Sequence, residues 1–130
     1  MNAAESETER WLRYAREDLR TAQALLRDLE SLIPRHACWL AQQAAEKAIK
    51  ALFVRAQIDF PRTHDLDLLW GKLPAATRAA ISSEALADLS EWAVESRYPG
   101  DWPDAGAADA REAVSAAANV CAQVEQVVKR

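Results

Sequence analysis

Between Arg35 and Gln57 the chain reads RHACWLAQQAAEKAIKALFVRAQ, and its polar residues do not scatter. Wound as a helix, the segment places His36, Gln43, Lys47 and Lys50 in one narrow arc, with Gln42 and Glu46 beside it. Cys38, Leu40, Ile49, Ala51 and Leu52 share the remaining circumference with alanines. A helix this apolar must be covered by neighbours on most sides. Ala41, Ala44, Ala45 and Ala48 also let a second helix backbone approach closely, because small side chains shorten the interaxial distance. The pattern predicts the central helix of a bundle.

Upstream, Trp11, Ala15, Leu19, Ala22, Leu26 and Leu29 recur at helical spacing. They predict an amphipathic helix that starts near Ser6 or Thr8, with Thr8 as a cap, and runs to about Leu29. Arg13, Arg16, Arg20 and Arg27 lie on its opposite face with Glu9 and Glu17 close by, which reads as a solvated face. Pro34 suits the first turn of the central helix. After Gln57, the stretch Ile58 to Arg62 should be extended, since the residue before Pro61 is pushed out of the helical region.

Thr63 or Asp65 then caps a short helix that turns Leu66, Leu69, Trp70 and Leu73 inward and ends at Pro74. Ser82 or Ser83 caps a fourth helix with Leu86, Leu89 and Ala93 on its core side and Asp88, Glu91 and Glu95 on its wet side. Tyr98 to Gly106 holds two prolines and two glycines and interrupts the helical pattern. Asp104 should cap the last helix, where Ala110, Val114, Ala117, Cys121, Val124 and Val128 repeat. The expected fold is all-α: an antiparallel up-and-down bundle of four long helices plus one short helix, forming a single domain over residues 1–130.

Composition supports that class. Half of the 130 residues are hydrophobic and 28% are charged, an ordinary globular mixture. The net charge of −4 speaks against whole-surface attraction to nucleic acid and leaves room for a local basic groove. Cys38 and Cys121 sit in apolar helical surroundings and read as buried small hydrophobes in a reducing compartment. No apolar run has membrane-spanning length and the acidic start lacks a signal-peptide pattern, so a soluble cytoplasmic protein is expected.

Candidate chemistry is sparse. The two histidines are His36, read as a surface residue, and His64, whose imidazole can hold a turn or take part in chemistry. Metal-ligand spacing is absent, no glycine-rich phosphate loop exists, and no metal or cofactor is expected. The unusual stretch is Arg97-Tyr98-Pro99-Gly100-Asp101-Trp102. Its guanidinium offers a fork for phosphate, and Tyr98 and Trp102 offer stacking surfaces or cover for the bundle end.

The order from Ala37 to Leu52, followed by Pro61-Arg62-Thr63-His64-Asp65-Leu66 and later Arg97-Tyr98-Pro99, resembles the HEPN family, the higher-eukaryote and prokaryote nucleotide-binding domain. The similarity extends from about Trp11 to Val128. The resemblance implies a helical bundle that acts as a metal-independent ribonuclease or as a toxin paired with a minimal nucleotidyltransferase. It also implies an arginine followed a few residues later by a histidine, assembled between two protomers.

Arg97 matches that arginine, but Trp102, Pro103 and Asp104 stand where the histidine would fall. An arginine stays protonated and cannot take the proton of a ribose hydroxyl. Asp101 or Asp104 would be a poor substitute base beside phosphate.

The reading of the sequence is therefore a HEPN-like module that binds a nucleotide, RNA or partner protein and lacks ribonuclease activity. A homodimer is expected, with a minimal nucleotidyltransferase as the further partner. The binding residues are Arg97, Tyr98 and Trp102, with Lys47 and Lys50 as a second basic face. Two alternatives stand beside it. One is a metal-independent ribonuclease toxin of a toxin–antitoxin pair, for which Arg97 and His64 are the catalytic candidates. The other is a purely structural interaction bundle.

Overall fold

The computed structural model describes residues 4–93 and 103–130. Among these residues six helices follow one another: α1 (Glu7–Leu26), α2 (Pro34–Ala56), α3 (Leu66–Gly71), α4 (Ala75–Ala80), α5 (Leu86–Ser90) and α6 (Ala107–Val128). No strand occurs among the described residues. The all-α class is as the patterning predicts.

The long helices are α1, α2 and α6, and α2 packs against both of the others. Ala37, Ala41, Ala44, Ala45, Ala48 and Ala51 are completely buried, so the alanine faces do serve close helix approach. Phe60, just past the end of α2, lies edge-on to Trp11 near the start of α1, so α1 and α2 run antiparallel. Cys121 Sγ bonds the Ala44 carbonyl and Arg55 reaches the Arg130 carbonyl, so α6 runs in the same direction as α2. These directions match a bundle in which the chain returns once between α2 and α6.

Where a fourth long helix is expected from Ser82 onward, the described residues form only the five-residue α5. The return path is built from α3, α4 and α5. Their core residues are those expected: Leu66, Leu69, Leu73, Leu86, Leu89 and Ala93 are buried. The six-residue α4, which follows Pro74 with no buried position of its own, has no counterpart in the sequence reading. Arg78 holds it to α3 by donating to the Gly71 and Leu73 carbonyls.

Helix ends correct several expectations. Ser6, not Thr8, caps α1 by accepting from the Glu9 amide. α1 stops at Leu26, and Leu29 is 61% exposed because it lies in the turn beyond the helix. The cap of α6 is Gly106 rather than Asp104; the Gly106 amide donates to the Asp109 carboxylate. Asp65 caps α3 through the Leu68 amide, while Thr63 accepts from the Asp65 amide and fixes the preceding turn. Pro34 opens α2 as expected. At its other end Gln57 adopts the left-handed conformation, with φ of 58°, so that its amide and that of Ile58 satisfy the last carbonyls.

Both cysteines are buried. Burial pushes the Cys121 thiol up to about 12, which makes it chemically quiet. None of the described helices is long and apolar enough to cross a membrane.

Candidate functional site

Helix α2 is apolar almost all round, yet Gln42, Glu46 and Lys50 repeat every fourth residue and therefore stack into one stripe. The connector that leaves α2 turns back and runs along this stripe. Its Phe60 ring lies edge-on to Phe53, and Lys50 Nζ stands 5.0 Å from the ring centroid. Further along, His64 Nδ1 meets Glu46 Oε1 at 2.7 Å. The His64 carbonyl accepts from Gln42 Nε2 at 3.3 Å.

Within the stripe the groups satisfy one another. Gln42 Nε2 donates to Glu46 Oε1 (3.0 Å), Lys50 Nζ donates to Glu46 Oε2 (3.0 Å), and Gln43 Nε2 donates to Gln42 Oε1 (2.7 Å). Glu46 is 4% exposed and Gln42 fully buried. Burial pushes the Glu46 carboxyl up, but the hydrogen bonds from Gln42, His64 and Lys50, together with the Lys50 charge, outweigh it. The net result is a carboxyl held below its usual range. An ionised carboxylate only accepts, so His64 Nδ1 is the donor in this contact.

Sequence reasoning put Gln42 and Glu46 beside the wet arc and did not name them as site residues. The signal available was the spacing by fours of polar side chains in the most apolar helix of the chain. His64 was named, and the structure gives it a buried carboxylate partner. Lys50 belongs to this same network, and its side chain is 11% exposed. Lys47 points elsewhere and pairs with Asp18 of α1. The two lysines are thus each committed to a carboxylate. His36 is exposed at the start of α2, apart from the stripe's hydrogen bonds. Arg97, Tyr98 and Trp102 lie outside the described residues.

Two concavities flank α5. The larger, an open cleft of about 560 Å³, is lined among the described residues by Thr63, His64, Asp65, Asp67, Ser90 and Glu91 with Ala87 and Ala93. Burial, and after it the neighbouring Asp65 charge, raise the Asp67 carboxyl. The smaller, a groove of about 320 Å³ between α5 and α6, carries Asp88, Glu91, Asp109 and Glu112 over Leu89, Trp92 and alanines. No lysine or arginine lines either one among the described residues. Among those residues no group of histidine, cysteine and carboxylate side chains can hold a metal.

An alanine-centred helical bundle with a connector strapped across a buried polar stripe defines a small helical-domain protein with no metal centre among its described residues. A scan of protein families matches the HEPN domain over residues 8–127, and the chain belongs to that family. Among solved structures it is similar to TT1696 from Thermus thermophilus, with 29% identity and a TM-score of 0.75, covering 92% of this chain and 96% of that one. It is also similar to ST0689, an archaeal HEPN homologue, with 26% identity and a TM-score of 0.72, covering 95% of this chain and 98% of that one. No curated protein matches.

Proposed function

We propose that this HEPN domain is a binding module for a nucleotide, RNA or a partner protein, and that it does not cleave RNA. The observation that carries the reading is the missing base. Trp102, Pro103 and Asp104 occupy the positions where a histidine would follow Arg97, and the chain has no histidines other than His36 and His64. Without a group to accept the proton of the ribose 2′-hydroxyl, Arg97 can hold a phosphate but cannot drive its transfer.

The charge distribution supports confining phosphate contact to Arg97, with Tyr98 and Trp102 as stacking partners. Both described concavities carry carboxylates and would repel phosphate. Lys47 and Lys50 would have to leave Asp18 and Glu46 to serve as phosphate ligands, which demotes them from the binding set. The module works as a homodimer with a minimal nucleotidyltransferase as further partner; sedimentation at micromolar concentration tests the first, with twice the monomer mass expected. Binding is tested by titrating a labelled short RNA against wild type and Arg97→Ala at rising salt. Wild-type affinity should fall with salt, and the variant should lose it. Equal affinity in the two proteins would remove Arg97 from the site.

A second reading rests on one specific contact. His64 has its Nδ1 tied to a buried carboxylate at the edge of an open cleft, the arrangement by which an imidazole is oriented as a general base. That reading makes the domain a metal-independent ribonuclease with a displaced base. Asp65, Asp67 and Glu91 on the same cleft oppose it, because they repel the phosphodiester that the base would need beside it.

A further inference from the structure

The connector between α2 and α3 is attached to α2 at two points of different chemistry. The first is aromatic: Phe60 stands against Trp11 and Phe53 with centroid separations of 5.6 and 6.1 Å. The second is polar: the His64 ring on Glu46 and the His64 carbonyl on Gln42. Between them the connector carries local bonds, the Thr63 amide on the Pro61 carbonyl and the Asp65 amide on Thr63 Oγ1.

We propose that the polar attachment is a latch. It fixes the position of residues 61–65, and with them the Thr63, His64 and Asp65 wall of the larger cleft, and it opens without unfolding α1, α2 and α6. Three observations point this way. Glu46 keeps two of its hydrogen bonds, from Gln42 and Lys50, when His64 leaves, so opening does not strand a buried charge. α2 packs on both α1 and α6 and its alanines are fully buried, so the joining of the three long helices has a source other than the His64 contact. Phe60 on one side stays anchored against Trp11 and Phe53, and Leu66 on the other is buried with its amide on Ser90 Oγ, which leaves residues 61–65 as the part that moves. The latch is independent of what the module binds.

Amide hydrogen exchange on the full chain tests this, comparing wild type, His64→Leu and His64→Asn. The side-chain amide of asparagine places an N–H where the ring Nδ1–H stands. In His64→Leu, the Thr63 and Asp65 amides should exchange about tenfold faster or more, while those of Ala45 to Leu52 in α2 stay within about twofold of wild type. His64→Asn should return Thr63 and Asp65 to within about threefold of wild type. Acceleration of connector and α2 together would show that the contact stabilises the whole bundle, and would overturn the latch. So would unchanged connector exchange in His64→Leu, or an asparagine variant that behaves like leucine.

Discussion

Replacing Glu46 by alanine should be among the most damaging single changes in this domain. The carboxylate is 4% exposed and accepts from three donors: Gln42 Nε2, Lys50 Nζ and His64 Nδ1. In Glu46→Ala the amide of Gln42 still has the His64 carbonyl, and the half-exposed imidazole can turn to water. Lys50 is the costly partner, since its side chain is 11% exposed and would lose its counter-ion. Breaking a buried pair from one side costs about 3–5 kcal/mol, and the flexible lysine stem puts this case near the lower end. Against a total stability of roughly 5–15 kcal/mol, that is a large fraction.

Urea denaturation followed by circular dichroism measures it, with Glu46→Met/Lys50→Met as the companion variant. The double change removes both charges and fills similar volume, so it should recover most of the loss. A cost below about 1 kcal/mol for Glu46→Ala would refute the reasoning, because the network would then contribute no more than a surface pair.

Three other outcomes are expected. The folded Glu46 carboxyl titrates below its ordinary value of 4.5, so its stabilising effect is complete above that pH and is lost as pH falls through the folded value. The thermal midpoint of wild type should therefore drop more steeply below about pH 4.5 than that of Glu46→Gln, and parallel curves would contradict this. Gln57 holds a left-handed conformation at the end of α2, so Gln57→Gly should raise the unfolding free energy by about 1 kcal/mol; a loss would show that the side chain contributes more than the strain costs. Ala48 is completely buried between helices, and Ala48→Leu should cost about 1–3 kcal/mol by overpacking, read from the urea midpoint.

The bundle was legible in the sequence where burial follows a period. Ala41, Ala44, Ala45 and Ala48 announce close packing because small side chains on one face of a helix have no better use, and all four are completely buried. The inward sets Leu66, Leu69 and Leu73, and Leu86, Leu89 and Ala93, are likewise where spacing puts them. Leu29 shows the limit of that signal. Its spacing continues the α1 stripe, but the chain turns after Leu26, so periodicity alone cannot locate the end.

Glu46 and Gln42 were missed for a different reason. Their partner His64 lies on an irregular connector 18 and 22 residues away, and a pairing across that separation leaves no periodic trace. A charged residue on a helix is by default assigned to water. The polar spacing of Gln42, Glu46 and Lys50 was visible, but its meaning depended on what folded over it. The same holds for Lys47 and Lys50, which look like a basic face until Asp18 and Glu46 are seen beside them.

The central claim, a HEPN module that binds without cleaving, is tested most directly by metal-free digestion of a single-stranded RNA across pH 5 to 9 (a range of about four units that spans histidine titration), using wild type, Arg97→Ala and His64→Ala. The account predicts intact RNA with all three proteins at every pH. Cleavage by wild type that is abolished in both Arg97→Ala and His64→Ala, with each variant still folded by circular dichroism, would contradict it and establish His64 as the displaced base.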